Sequence, residues 1–329
     1  MKKILILFCG GTLAMKRDNR GNLSPYYESK DLIKRVPHLS EIAAIDIENI
    51  VNIDSSNFQP EIWTEIAIKI ADNISKYEGF IIIHGTDTMA YTASALSFAL
   101  LNLGKPVVLT GGQKPMDDIG TDGINNLINA VLVINYGIPD IYIVFGTKIL
   151  KGNRATKISE SSLDAFDSVM RLPLGEIALE PKLFIKEKKT RSQKLKLKPK
   201  FEPDIVIFDL FPGFRPKYLD EIIESQCKGV ILKSFGSGNI PDNFISLIGR
   251  ANQKDLPVVI ISQCYKGSTQ MQLYEVGQNA LNVGAIPGRD MTLEAASTKL
   301  MWGLANYKAV NKIRKLFNTN IAGEVTISN

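Results

Sequence analysis

The stretch Gly79–Met89, Gly-Phe-Ile-Ile-Ile-His-Gly-Thr-Asp-Thr-Met, most constrains what this chain can fold into. Its unbroken apolar run predicts a strand buried on both faces of a parallel sheet, and a helix is predicted over 89–103. In open α/β sheets, ligands bind just outside the carboxyl ends of the strands, where the next helix adds unpaired N–H groups. Thr86 can therefore supply a nucleophile, Asp87 an anion and Thr88 a helix cap. The alternative is that Asp87 and Thr88 only cap the helix.

Three further predicted strands end in a similar polar or glycine-rich cluster. Strand Lys2–Phe8 is followed by Gly10-Gly11-Thr12, strand Ile47–Ile53 by Asp54-Ser55-Ser56, and strand Pro106–Leu109 by Thr110-Gly111-Gly112. Glycines allow a ligand to approach the backbone closely, and Thr12 is expected at the carboxyl edge of the sheet. Neither the dinucleotide-binding pattern G-x-G-x-x-G nor the phosphate-binding pattern G-x-x-x-x-G-K-[ST] is present. Taken alone, the first cluster is better explained as a tight turn with Thr12 as a cap.

A lysine-rich segment separates two halves in which predicted strands and helices alternate. We predict a larger N-terminal α/β domain with a mainly parallel sheet over 1–185, a basic linker over 186–204 and a smaller α/β, flavodoxin-like domain over 205–329. The net charge is +5, and the basic excess is concentrated in 186–200. Because no aromatic residues are interleaved with these lysines, we expect a solvated linker and no nucleic-acid partner. No apolar stretch approaches the length of a membrane span, so no membrane partner is expected.

The cysteine and histidine counts limit the chemistry. Cys9, Cys227 and Cys264 are isolated, and no metal-ligand spacing occurs, so we expect a reduced, cytoplasmic protein without a metal or cofactor. The N-terminal apolar run is too short for a signal peptide. The histidines are His38 and His84, and His84 is expected to be held among strand-end hydrogen bonds. The base of an enzyme is therefore expected to be Lys, Asp, Glu or Tyr.

Two other segments are candidates for parts of a site. Segment 151–157 is rich in cations and small residues, and a lysine brought from it to the sheet edge can act as a base, because burial lowers the pKa of a lysine. Until something else singles it out, Lys157 is best taken as a surface lysine. The charged, glycine-bearing segment Met15–Pro25 is predicted to be a mobile loop and a candidate lid, closed by Tyr26 and Tyr27.

The order of these motifs resembles that of the bacterial-type L-asparaginases, and most closely their cytoplasmic type I branch. The resemblance covers essentially the whole chain. It rests on Gly10-Gly11-Thr12, Asp54-Ser55, His84-Gly85-Thr86-Asp87-Thr88, Thr121-Asp122-Gly123 and Gly236-Ser237-Gly238-Asn239. It implies hydrolysis of L-asparagine by water to L-aspartate and ammonia, through a threonine acyl-enzyme, in a homodimer or tetramer. The preference between asparagine and glutamine stays open.

The resemblance also implies roles for individual residues. Thr12 matches the family's first threonine, which is usually taken as the nucleophile. Thr86, Asp87 and Lys157 match its second threonine, aspartate and lysine, and Lys157 can serve as the base that a hydroxyl nucleophile needs. Ser55 is expected to hold the α-carboxylate of the substrate, and Asp87 its α-ammonium. The expected substrate-binding residues are Asp54, Ser55, Asp87, Gly112 and Asn239, the last lent by the partner subunit.

A departure from the family pattern affects the lid, and one cysteine bears on regulation. Many relatives have a lid tyrosine ten residues after the first threonine, where this chain has Asn22. Either Tyr26 or Tyr27 reaches the nucleophile from a shifted position, or this lid works without a tyrosine. Cys264 matches a cysteine near an asparagine effector site in type I relatives, although packing in the second sheet is the slightly preferred explanation.

Two other functions remain open. One is that of the related subunit of the archaeal amidotransferase that converts Glu-tRNA to Gln-tRNA. That subunit has an extra N-terminal domain, whereas this chain starts at the first strand, so we expect this interpretation to fail. The other is an amino-acid-binding sensor that kept the pocket and lost turnover, which Asn22 favours. Mixing the protein with asparagine and following ammonia separates an enzyme from a sensor.

Overall fold

The fold is described from a computed structural model of the chain. The described residues are 1–168, 170–185 and 194–327, apart from the side chain of Ile33. The chain divides into two compact units, Met1–Pro199 and Lys200–Asn329. The predicted linker, 186–204, includes residues 186–193, which lie outside the described residues, so its bounds remain a prediction. Within its described part, Lys196–Leu197 forms a short strand that pairs with a strand of the first unit.

The first unit contains both long sheet strands and short hairpins. Its strands are β1 (Lys3–Gly10), β2 (Met15–Arg17), β3 (Leu23–Pro25), β4 (Ala44–Ile53), β5 (Gly79–Ile83), β6 (Leu100–Leu101), β7 (Val107–Thr110), β8 (Ile141–Phe145), β9 (Lys148–Lys151), β10 (Ala155–Lys157), β11 (Phe166–Ser168), β12 (Gly175–Ile177), β13 (Pro181–Leu183) and β14 (Lys196–Leu197). Its α-helices are α1 (Ser29–Arg35), α2 (Leu39–Ile42), α3 (Pro60–Asn73), α4 (Met89–Ala99) and α5 (Gly123–Asn135).

Among the described residues, one sheet of the first unit has eight strands in the order β13-β12-β9-β8-β7-β5-β1-β4. Five adjacent strands of this sheet, β8, β7, β5, β1 and β4, pair in parallel. The other three, β9, β12 and β13, extend the sheet beyond β8 with antiparallel pairs. Every residue of β5 is buried, as its apolar run predicts. Because β4 and β5 lie on opposite sides of β1, the chain changes direction across the sheet at β1. Ligands bind at such a point in open α/β sheets.

Two segments differ from their predicted structure. The segment predicted as a mobile loop contains a hairpin, in which the backbone of 15–17 pairs with that of 23–25. The Asp18 carboxylate accepts two backbone N–H groups within the turn and so closes it. The helix predicted over 89–103 ends at Ala99, because the next residues form β6 and pair with β14.

The second unit is a smaller α/β unit. Its strands are β15 (Ile205–Asp209), β16 (Gly229–Ser234), β17 (Val258–Ser262) and β18 (Ile286–Pro287). Its α-helices are α6 (Lys217–Ile223), α7 (Ile245–Gln253), α8 (Glu275–Asn282), α9 (Leu293–Asn306) and α10 (Val310–Phe317). The four strands are parallel and lie in sequential order.

Helices cover both faces of the second sheet. One apolar cluster joins the sheet to α6, α7 and α8, with Leu219 and Ile248 at its centre. The other joins it to α9 and α10, with Leu300 and Phe317 fully buried. This layering agrees with the predicted second α/β domain, so the fold class is confirmed. Of the helices in the described ranges, none combines the length and apolar character that a membrane span requires.

Candidate active site

The carboxyl ends of β1 and β5 meet through two glycines. The φ angle of Gly11 is +87°, and a Cβ there would lie 2.4 Å from the backbone nitrogen of Gly85. Only glycine fits both the backbone conformation and this close approach. Thr12 and Thr86 are the residues that follow the two glycines, so the fold brings the two predicted threonine motifs to the same edge of the sheet.

Ser55 lies against the same junction. A Cβ on Gly85 would lie 2.6 Å from Ser55 Oγ, and the backbone N–H of Asp87 donates to that oxygen at 3.2 Å. Thr88 was expected to cap α4, but its hydroxyl instead donates to the Ser55 carbonyl at 2.8 Å. The Asp54 carboxylate accepts the N–H of Ser56 at 2.8 Å, which closes the turn after β4. The serine is therefore fixed from two sides.

Lys157 lies at this site rather than on the open surface. Its Nζ donates to Thr86 Oγ1 at 2.8 Å and forms an ion pair with Asp87 Oδ1 at 2.6 Å. The side chain of Lys157 is 19% exposed and that of Asp87 is 60% exposed, whereas Thr86 is buried. A hydroxyl, an ammonium and a carboxylate that solvent can reach are thus in direct contact. These are the groups that base-assisted attack by a hydroxyl requires.

The loop after β7 contributes a residue that no sequence motif had indicated. Gln113 Oε1 accepts from Thr86 Oγ1 at 3.3 Å. The buried Asp122 carboxylate accepts the backbone N–H groups of Gln113, at 3.0 and 2.9 Å, and of Lys114, at 3.1 Å. The Thr121-Asp122-Gly123 motif therefore holds this loop in place. The signal available in the sequence was the position of Gln113, directly after Gly112 in a strand-end cluster.

The Gly112 backbone packs closely against the start of α5. A Cβ at Gly112 would lie 3.1 Å from Gly123 Cα, which is tighter than side chains usually tolerate. Asn126 supports the same loop, since its Nδ2 donates to the Gly111 carbonyl at 3.0 Å and its Oδ1 accepts the N–H of Gly146 at the same distance. The expected substrate-binding position is thus part of a rigid turn.

His84 is held among strand-end hydrogen bonds, as predicted. Its Nδ1 lies 2.7 Å from the Gly85 carbonyl and its Nε2 lies 2.8 Å from Thr92 Oγ1. Since a carbonyl only accepts, Nδ1 carries the hydrogen and Nε2 accepts from the threonine, whose oxygen accepts from Trp63 Nε1 at 3.0 Å. Burial lowers the pKa of His84 to about 4. The imidazole is therefore neutral near pH 7 and has a structural role.

The predicted lid residues occupy different environments. Tyr27 is buried, and its hydroxyl donates to the Asp117 carboxylate, which also pairs with Arg35. Tyr26 is exposed, and Asn22 lies at the exposed tip of the β2–β3 hairpin. The Tyr27 side chain is thus buried, and its hydroxyl is occupied by the Asp117 carboxylate. That either tyrosine reaches Thr12, the predicted nucleophile, stays a prediction.

The remaining predicted residues belong to the second unit. Asn239 lies in a turn in which its backbone N–H donates to the Phe235 carbonyl at 2.9 Å. Its Oδ1 is buried and accepts no hydrogen bond from the described residues. Cys264 is exposed, and its N–H donates to Ser262 Oγ at 3.0 Å. Packing in the core of the sheet, the preferred explanation for Cys264, therefore does not apply. Within the described ranges, no cluster of three or more His, Cys, Asp or Glu side chains could hold a metal ion.

The fold and the site together define an α/β protein in which a threonine hydroxyl, a lysine ammonium and a carboxylate are in contact at the carboxyl edge of a mainly parallel sheet. The family model described as "Asparaginase, N-terminal" matches residues 3–191, and that described as "Glutaminase/Asparaginase C-terminal domain" matches residues 204–317. The chain belongs to the asparaginase family. The resemblance predicted from the motifs is confirmed.

Individual relatives agree with this assignment. L-asparaginase 1 of Escherichia coli (strain K12) is 35% identical over 332 residues, which cover 99% of this chain and 98% of that protein. A glutamyl-tRNA(Gln) amidotransferase component of Pyrococcus abyssi is 32% identical over 338 residues, which cover 99% of this chain and 77% of that protein. The solved structure of the thermostable L-asparaginase from Thermococcus kodakarensis is similar with a TM-score of 0.93 and 35% identity, covering 99% and 100% of the two chains.

Proposed function

We propose that this protein hydrolyses L-asparagine to L-aspartate and ammonia through a threonine acyl-enzyme. The observation that carries the proposal is the contact of the Lys157 ammonium with both the Thr86 hydroxyl and the Asp87 carboxylate, in a chain that belongs to the asparaginase family. A hydroxyl is a poor nucleophile until a base takes its proton, and in this proposal the neutral Lys157 amine takes the proton of the Thr12 hydroxyl through the Thr86 hydroxyl.

The reaction proceeds in two steps. In the first, the Thr12 oxygen attacks the side-chain amide carbon, the C–N bond breaks, and the protonated nitrogen leaves as ammonia. In the second, water attacks the resulting ester and releases aspartate and the threonine hydroxyl. Lys157 and Thr86 shuttle the proton in both steps.

The tetrahedral intermediate of each step needs hydrogen-bond donors that are placed in advance. The N–H of Gly11 already donates to the Ile53 carbonyl at 3.2 Å, and that of Asp87 already donates to Ser55 Oγ. We therefore assign the oxyanion donors to the backbone N–H groups of Thr12 and Thr86. One such donor contributes about 3 kcal/mol to transition-state stabilisation in other enzymes.

The substrate's charged groups match the polar groups around Thr86. Lys157 takes Oδ1 of Asp87, which leaves Oδ2 for the α-ammonium. Ser55 Oγ accepts from the Asp87 N–H, so its own hydrogen is available for the α-carboxylate. Asp54 and Gly112 complete the proposed pocket by fixing the turns on either side.

We further propose a homodimer or tetramer in which Asn239 of one protomer completes the site of its partner. The buried Oδ1 of Asn239, without a hydrogen-bond partner among the described residues, supports this assignment. Light scattering of the purified protein measures the mass of the assembly, and a monomeric mass would refute the proposed homodimer or tetramer.

Cys264 is proposed to line an effector site, since it is exposed at the carboxyl end of β17. The three unpaired cysteines support a cytoplasmic location.

Ammonia release from asparagine and glutamine tests the function. Thr12→Val and Thr86→Val should each abolish ammonia release, because valine keeps the shape of threonine and removes the hydroxyl. Unchanged thermal unfolding shows that each variant is folded. Wild-type rates in both variants would refute the proposed mechanism, and binding of asparagine without turnover by the wild type would favour a sensor.

A second candidate function is that of a component of a tRNA-dependent amidotransferase, which the similarity to the Pyrococcus abyssi protein favours. The asparaginase hypothesis expects ammonia release from free asparagine without any tRNA or second protein. Release that requires charged tRNA and a partner protein would select the amidotransferase instead.

A further inference from the structure

The side chain of Gln113 contacts both the Thr86 hydroxyl and the loop that follows Lys157. Its Oε1 accepts from Thr86 Oγ1 at 3.3 Å, and its Nε2 donates to the carbonyls of Glu160, at 3.1 Å, and Ser162, at 3.2 Å. Only the NH₂ end of an amide can donate to two carbonyls. The orientation of the Gln113 amide is therefore fixed by its neighbours.

The loop is the tip of the β10–β11 hairpin, which carries Lys157. Lys157 is paired with Phe166 across this hairpin, and the N–H of Ile158 donates to the Ala165 carbonyl at 2.8 Å. A side chain bound to the hairpin tip restrains the strand that delivers the ammonium to Thr86. The same amide thus contacts one member of the reactive pair directly and the other through its hairpin.

We propose that Gln113 is a positioning residue that holds Thr86 and Lys157 in the relative positions that amide hydrolysis requires. The inference rests on the proposed function and deepens it. While Lys157 is protonated, its ammonium donates to Thr86 Oγ1 and the hydroxyl hydrogen points to Gln113. When the amine is neutral, that hydrogen turns to Nζ, because the amine lone pair is the stronger acceptor. The long bond to Gln113 is given up while the two bonds to the hairpin remain.

Gln113→Glu removes both N–H donors without changing the size of the side chain. The introduced carboxylate would face the two hairpin carbonyls and repel them. Charged side chains near this position include Asp122, which holds the backbone of the loop, Lys157 and Asp87, on the other side of Thr86, and Glu160, whose carboxylate interacts electrostatically with Lys157. These neighbours include more anions than cations, so the introduced carboxyl should protonate more readily than an exposed glutamate.

The kinetic test compares Gln113→Glu with the wild type across pH. We expect kcat to fall at least about tenfold at pH 8, with a smaller change in KM, because misplacing reacting groups lowers kcat. The ratio of variant to wild-type kcat should rise as pH falls, since the protonated acid again offers a donor. Gln113→Met, which removes the hydrogen bonds without adding charge, should show the same loss with a flat ratio. Gln278→Glu, the same change on the exposed surface of α8, should leave kcat unchanged.

A second readout does not depend on activity. Amide hydrogen exchange over 158–165 should be faster in Gln113→Glu and Gln113→Met than in the wild type, because the hairpin tip loses its anchor. Wild-type kcat in both variants, a pH-independent ratio for Gln113→Glu, or unchanged exchange over 158–165 would each overturn the positioning role. If the wild type itself releases no ammonia, the proposed function fails, and the exchange measurement still decides whether Gln113 anchors the hairpin.

Discussion

Each unit of this protein contains a close lysine–carboxylate pair, and the surroundings of the two pairs differ. In the second unit, Lys299 and Glu324 are both fully buried, and Lys299 also donates to the Thr319 carbonyl at 2.8 Å. In the first unit, Asp87 of the Lys157–Asp87 pair is 60% exposed. Each pair consists of one lysine ammonium and one carboxylate. The pair in the second unit is shielded from water, whereas the carboxylate of the pair in the first unit is open to it.

The partners of each pair show what it can do. Glu324 also accepts the backbone N–H groups of Ile321, at 3.1 Å, and Ala322, at 2.7 Å, so the buried pair fixes the C-terminal segment. Lys157 instead contacts the Thr86 hydroxyl. Burial of a lysine is therefore a poor marker of chemistry. A reactive neighbour and an open carboxylate oxygen separate the candidate catalytic pair from the structural one.

The largest effect is expected at Lys157. Lys157→Met should reduce kcat for asparagine by roughly 10³- to 10⁴-fold, because it removes the proposed base. Lys157→Arg keeps the positive charge but cannot act as a base near neutral pH, so it should be nearly as inactive. Ammonia release measures both variants, and thermal unfolding shows that they are folded. Substantial activity in Lys157→Arg would show that charge, rather than proton transfer, is what the site needs.

The matching change in the second unit should affect stability instead. Lys299→Met leaves the Glu324 carboxylate buried without its partner, and should lower the free energy of unfolding by about 3–5 kcal/mol. Urea unfolding measures this loss, and ammonia release per folded molecule should be unchanged.

Two variants serve as controls for Lys299→Met. Lys254 forms an ion pair with Glu224 in which both side chains are about half exposed. Lys254→Met should therefore have no measurable effect on unfolding, since exposed pairs contribute little. The double variant Lys299→Met/Glu324→Leu should recover much of the lost stability, because no charge remains buried. Equal losses in Lys254→Met and Lys299→Met would show that burial does not distinguish the pairs.

The sequence predicts the strand ends that form the site better than it predicts which side chains contact one another there. Strand, polar cluster and helix follow one another within a few residues, so the sheet edges that carry Thr12 and Thr86 are visible in the local pattern. Lys157 is 71 residues from Thr86, and only the family resemblance connected the two. Gln113 was missed because an amide in a glycine-rich turn is indistinguishable from an ordinary loop residue until its partners are known.

The buried pair of the second unit was missed for a related reason. Lys299 lies in a helix and Glu324 lies near the end of the chain, where charged residues are usually solvated. No local pattern shows that the C-terminal segment folds back over the helix. The β2–β3 hairpin was missed because charged, glycine-bearing segments are typical of loops. Its turn is closed by the Asp18 carboxylate together with backbone hydrogen bonds between Asp18, Gly21 and Asn22, which no local pattern shows.

His84 tests whether the role of an ionisable group follows from its burial and hydrogen bonds or from its distance to the candidate active site. It follows β5 and lies two residues before Thr86, yet it resembles Lys299 because it is buried with both ring nitrogens hydrogen-bonded. Burial lowers the pKa of His84 in the folded protein to about 4, from 6.5 in a solvated histidine. Below pH 6.5 the unfolded chain takes up a proton that the folded protein does not accept until about pH 4. The free energy of unfolding should therefore fall with pH across this window.

The size of the effect follows from the two pKa values. Between about pH 7 and pH 5, His84 should lower the free energy of unfolding by about 2 kcal/mol, and this loss should be absent in His84→Gln. The measurement is the difference in free energy of unfolding between the two proteins at each pH, since the carboxylates contribute equally to both. A difference that does not change across this range would mean that His84 takes up its proton at the same pH in the folded protein as in the unfolded chain, so that burial does not lower its pKa. The imidazole would then become charged below about pH 6.5, two residues before Thr86, and the pH dependence of the site could no longer be assigned to Lys157 alone.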